Sequence, residues 1–117
     1  MKRTLLGYTG AIALMVLAIH TSIAREKQAP NEVAIDNFSF IPQTLIVPVG
    51  TTVTWINHDD IPHTVLSVDK TTVVSPALDT DEKFSYTFTA AGTNDYYCSV
   101  HPHMKGKVIV VPAETAK

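Results

Sequence analysis

From Glu32 to Val111 the chain keeps returning to one pattern: a short run rich in β-branched and aromatic residues, then a residue that breaks it. Val33-Ala-Ile35 and Phe38-Ser-Phe40 alternate until Pro42 ends the stretch, and Leu45-Ile-Val47 is closed by Pro48-Val-Gly50. Thr51–Ile56 puts Val53 and Trp55 on one face, His63–Val68 is a further candidate strand, and Phe84–Phe88 alternates strictly between apolar and hydroxylic residues. Between them, residues 70–81 are irregular and broken by Ser75-Pro76. Ala91-Gly92 turns the chain into Asp95–Cys98, and Lys107–Val111, apolar on both faces, reads as a central strand ended by Pro112. No window sustains helical spacing, and there is no internal repeat. About seven or eight short strands at this spacing predict an all-β protein, an antiparallel β-sandwich with Trp55, Phe84 and Phe88 pointing into its core.

The first 24 residues stand apart. Lys2 and Arg3 precede a mostly apolar stretch from Leu5 to Ile19, and Ser22-Ile-Ala24 offers small residues where a signal peptidase cuts. This predicts a signal peptide over 1–24 and export to the periplasm, with an uncleaved membrane anchor as the alternative. The apolar run falls short of the roughly 20 residues that span a bilayer. A lead over 25–31, one domain over 32–112 and a tail over 113–117 follow. After cleavage no membrane attachment is expected, since no cysteine near the junction offers a lipid site. All eleven acidic residues but only seven of nine basic ones lie beyond residue 24, so the remainder is mildly acidic. The only basic cluster is Lys105-Gly-Lys107, which argues against nucleic acid as a partner.

Cys98 is the only cysteine, so no intrachain disulfide can form. In an exported protein a lone thiol is a liability unless it is buried, reactive or a ligand. Its neighbours favour a ligand. Cys98-Ser-Val-His101-Pro-His-Met104 spaces a thiol, an imidazole and a thioether three residues apart between two predicted strands. A second imidazole, His63, opens an earlier strand after Asp59-Asp-Ile-Pro62. Two imidazoles, one thiolate and one weak thioether match the ligand set of a blue-copper site. Thiolate and thioether favour Cu(I), imidazole also suits Cu(II), and so neither oxidation state is strongly disfavoured.

Phe38-Ser-Phe40, Gly50-Thr-Thr-Val-Thr-Trp55, Pro62-His63, Gly92, Tyr96-Tyr-Cys98 and the Cys98–Met104 loop resemble the plastocyanin/azurin family of cupredoxins over about Glu32 to Val111. The short loop is most similar to that of the amicyanin group. The resemblance implies a Greek-key sandwich holding one type 1 copper, with His63, Cys98 and His101 in the equatorial plane and Met104 axial. It implies a monomeric one-electron carrier rather than an enzyme, serving redox proteins such as a dehydrogenase donor and a cytochrome-type acceptor. His63 would be buried, and His101 would emerge through an apolar patch with Pro62, Pro102, Ile61 and Val100.

Three positions depart from the family pattern. Thr64 stands where Asn is frequent, and is expected to hydrogen-bond near Ser99. Asn94 replaces a frequent corner Tyr. Val100 replaces the Pro of amicyanins and brings an N–H that is expected to face the Cys98 sulfur. His58 and His103 read as solvent-exposed imidazoles. Three other readings stay open: a copper-delivery protein with the same ligands, a zinc site on Cys98 and the two histidines, and a Cys98–His101 catalytic dyad. The lead and tail lack the Met/His-rich composition of delivery proteins, the thioether disfavours zinc, and nothing supplies the orienting group and oxyanion site that a dyad needs.

Overall fold

The computed structural model describes residues 30–113, and the expected signal peptide over 1–24, most of the lead and most of the tail lie outside the described residues. Within them are eight strands: β1 (Glu32–Asp36), β2 (Ser39–Ile41), β3 (Thr44–Pro48), β4 (Thr52–Asn57), β5 (Leu66–Ser67), β6 (Lys83–Thr87), β7 (Gly92–Tyr97) and β8 (Lys105–Val111). They form two four-stranded sheets, ordered β2-β1-β4-β6 and β3-β8-β7-β5. The expected all-β sandwich is therefore present, with β8 flanked on both sides as its two apolar faces suggested.

Alternation places the core. Val33 and Ile35 of β1 and Val53 and Trp55 of β4 turn inward from one sheet; Leu45, Val47, Val108, Val110 and Tyr96 meet them from the other. Phe88 joins this cluster and Phe84 packs against it, so the three predicted aromatics do face inward. Two pairings run parallel, β1 with β4 and β3 with β8, where the sequence pattern predicts antiparallel neighbours. The reason is the route of the chain. After the β1–β2 hairpin it crosses to the opposite sheet as β3 and returns as β4, which arrives beside β1 pointing the same way. Gly50 serves the return turn at φ 93°, a conformation costly for any residue with a Cβ.

The candidate strand over 63–68 shrinks to Leu66–Ser67. The Thr64 N–H is taken by the Cys98 sulfur and the Val65 N–H by Ser75 Oγ, so neither is left for a ladder. The Phe38-Ser-Phe40 alternation is likewise interrupted. Asp36 pairs with Ser39, and Asn37 and Phe38 form the two-residue hairpin turn with φ of 49° and 56°. Positive φ at both positions is what a type I′ turn requires.

Candidate metal centre

The end of β4 organises one side of the site. Asn57, fully buried, donates from Nδ2 to the carbonyls of Ile61 and Leu78 and accepts the Asp59 N–H on Oδ1. This folds residues 57–63 into a tight loop. His63 and Leu78 then exchange both backbone hydrogen bonds, at 3.1 and 2.7 Å, which pins the His63 backbone beneath the core. The His63 ring is wholly buried, and its Nε2 lies 2.7 Å from Asp59 Oδ2.

Asp59 is held as a carboxylate. Burial works against its charge, but hydrogen bonds from the Phe38 N–H, the His63 ring and the Asn37 N–H outweigh that and keep it below the usual carboxylate range. An ionised carboxylate only accepts, so His63 must donate from Nε2. That leaves Nδ1 as the atom with a free lone pair, and Nδ1 faces the Cys98 sulfur at 3.7 Å.

The other side of the site is the loop between β7 and β8. Cys98 leaves β7 fully buried, and the loop closes on itself: Cys98 N–H donates to the Met104 carbonyl and Met104 N–H to that of His101. This turn brings His101 Nδ1 to 3.8 Å from Cys98 Sγ. Met104 is 5% exposed and belongs to the core cluster. Thr64 braces the loop from the opposite segment. Its N–H reaches Cys98 Sγ at 3.4 Å, its Oγ1 accepts the Ser99 N–H at 2.8 Å, and Oγ1 lies 2.7 Å from Ser99 Oγ. The expectation for Thr64 thus holds.

Burial alone would raise the Cys98 thiol. The Thr64 N–H, the His63 and His101 rings and the His101 N–H all favour the anion and bring it down from 9.0 to about 6. The backbone donors facing the sulfur belong to Thr64 and His101, so the N–H expected from Val100 is not among them. Val100 is instead exposed at the loop tip. Asn94 fills its corner by reaching the carbonyls of Gly92 and Val108, each at 3.4 Å.

Each of His63, Cys98 and His101 offers one donor atom, and the three lie within 4.8 Å of one another. With bonds of about 2.3 Å to sulfur and 2.0–2.1 Å to nitrogen, held about 120° apart, a trigonal ion sets sulfur and nitrogen about 3.8 Å from each other. The observed sulfur–nitrogen separations, 3.7 and 3.8 Å, match that spacing on both sides of the sulfur.

The comparisons with known proteins agree with that geometry. Residues 27–111 match the model of the copper binding proteins of the plastocyanin/azurin family. The chain belongs to this family. It is 36% identical to amicyanin of Paracoccus denitrificans over 111 residues, covering 89% of this chain and 85% of that one. Among solved structures, the oxidized state of an amicyanin mutant superposes with a TM-score of 0.65 at 38% identity, over 74% of this chain and 88% of that one. A copper-containing nitrite reductase from Thermus scotoductus gives 0.65 at 35% identity, over 71% of this chain but 22% of the reductase. The family's metal is copper, and a buried thiolate between two imidazoles is a donor set that copper accepts in both oxidation states.

Two functional side chains escape a reading of the sequence. Asp59 sits four residues before His63 in a loop that also offers Asp60, and nothing local says which carboxylate turns inward. Phe38 looks like a strand residue, yet its ring stands against both imidazoles, with centroids 5.5 Å from His63 and 5.2 Å from His101. The strain of a phenylalanine at positive φ is visible only in the folded chain.

Proposed function

We propose that the chain is a one-electron carrier in which His63 Nδ1, Cys98 Sγ and His101 Nδ1 hold one copper ion and Met104 supplies a weaker fourth contact. The observation that carries this reading is the convergence of the three donor atoms, with each imidazole nitrogen at the separation from sulfur that a shared metal ion would set. Bound there, copper supplies reversible Cu(II)/Cu(I) chemistry. The chain's own residues supply rigidity. Asp59 fixes the His63 tautomer, Thr64 and the His101 N–H hold the sulfur as an anion, and the backbone bonds within 98–104 leave the loop little slack. Ligands that stay in place between oxidation states keep the cost of reorganisation low, and the transfer is then fast.

Mutants of amicyanin have been solved in a Cu(I) form and in an oxidized state, which supports the same cycle here. His101 is half-buried; Phe38 packs on its ring, its chain neighbours Val100 and Pro102 are exposed, and so is Pro62 beside His63. A small apolar rim suits brief docking with redox proteins, a dehydrogenase-type donor and a cytochrome-type acceptor. No substrate is transformed, and the protein acts as a monomer. Export through residues 1–24 places it in the periplasm, with the carrier domain over 32–112.

The test is to express residues 25–117, add Cu(II) and record the visible spectrum. An intense thiolate-to-copper band is expected, lost in Cys98→Ser and in His63→Ala but kept in His103→Ala. No band in the parent chain refutes the site. Slow reduction and self-exchange in a protein that does show the band would instead favour copper delivery.

A further inference from the structure

The two imidazoles are held in different ways. His63 has Asp59 on its outer nitrogen, whereas among the described residues no hydrogen bond fixes the outer nitrogen of His101. Two rings pack on His101, those of His63 and Phe38. Phe38 meets it at 5.2 Å with an interplanar angle of 86°, and meets His63 at 5.5 Å and 87°. Near-perpendicular rings at this distance set the edge of one against the face of the other, which is the attractive arrangement.

Burial does not explain Phe38, a residue that remains 49% exposed. Nor does local preference, since a type I′ turn favours glycine where Phe38 stands at φ 56°. The strained turn is held from outside. Asp59 Oδ1 accepts the Asn37 N–H at 2.6 Å and Oδ2 accepts the Phe38 N–H at 2.9 Å, while Oδ2 also takes His63. One carboxylate therefore ties the buried imidazole to the turn, and the turn carries the ring that packs on the exposed imidazole.

We propose that Phe38 is a positioning residue for the metal centre: an aromatic cap, clamped by Asp59, that keeps His101 turned toward copper and couples the order of the Asn37–Phe38 turn to copper occupancy. The inference rests on the copper site described above. A metal ion on His63 Nδ1 draws charge from the ring and makes its Nε2–H a stronger donor, so Asp59 is held more firmly and the two turn amides with it. In the other direction, a turn that keeps its shape keeps Phe38 against His101, which would oppose rotation of that ring away from a bound ion and so slow copper release.

The experiment follows copper release to a chelator at the thiolate band in the parent, Phe38→Ala and Phe38→Tyr, with amide hydrogen exchange on the parent, copper-loaded and copper-free. Each edge-to-face contact is worth about a two- to tenfold change in an equilibrium. Release from Phe38→Ala is therefore expected to be about fivefold faster or more, and release from Phe38→Tyr close to the parent. Exchange at Asn37 and Phe38 should slow when copper binds, while Val47 in β3 stays unchanged. Equal release rates in the parent and Phe38→Ala, or turn amides indifferent to copper, overturn the cap. If Phe38→Ala does not fold, the exchange measurement on the parent decides alone. A parent without the band overturns both the copper site and the cap; a parent with the band but unchanged release overturns the cap only.

Discussion

Taking copper away leaves a buried thiol that prefers to be an anion, and folding stability must then depend on pH in a defined direction. Cys98 falls from an ordinary value of 9.0 to about 6 in the folded apoprotein. Between those two values the unfolded chain binds the thiol proton and the folded chain does not, so stability rises with pH across that window. Each pH interval of 1 is worth about 1.4 kcal/mol. The contribution is close to zero below pH 5 and grows through pH 7 toward an upper limit of about 4 kcal/mol above pH 9, which solvent screening lowers. Cys98→Ser lacks the titrating group but shares every other one. Urea denaturation of both apoproteins from pH 5 to 9 should show the parent gaining on the variant as pH rises, with half-ionisation near pH 6 in the ultraviolet absorbance of the thiolate. A stability difference that is flat with pH, or that shrinks toward alkaline pH, would refute the claim that Thr64, His63 and His101 stabilise the anion.

Three other substitutions test the supports of the site. Asp59→Asn leaves an amide with one acceptor oxygen facing three donors, and should destabilise the apoprotein by about 2–3 kcal/mol in urea melts; no measurable loss would show that the carboxylate does not hold the loop. Thr64→Val keeps the N–H to sulfur but removes the hydroxyl between the two segments, at about 1 kcal/mol, and should broaden the thiolate-to-copper band as the loop loosens; an unaltered band and midpoint would deny Thr64 that role. Gly106→Ala would set a Cβ 2.3 Å from the Tyr96 ring in the next strand, so a loss of about 1–3 kcal/mol or more is expected; a neutral result would mean that Tyr96 can move aside.

The residues of the centre were legible in the sequence to different depths. Cys98, His101 and Met104 lie within seven positions of one another, and a turn of that length brings its backbone groups together whatever the rest of the fold does. His63 was legible by its chemistry only, since it reaches the sulfur from 35 residues away and must be delivered by β4, Asn57 and the bridge to Leu78. The inward face of each strand was equally legible because side chains alternate at every second residue. Thr64 is expected to brace the loop and does; the N–H of Val100 is expected to face the sulfur, where the backbone donors are instead those of Thr64 and His101.

Local chemistry thus dictated which atoms could bind a soft metal ion and which side of every strand is apolar, because both are properties of short stretches of chain. The meeting of those stretches was decided by tertiary structure. Strand direction, the parallel pairing of β1 with β4, the choice of Asp59 over Asp60 and the turn that lifts Phe38 onto two imidazoles all depend on contacts between segments far apart in sequence. Such contacts are selected together by burial of one shared core, and no window of residues carries them alone.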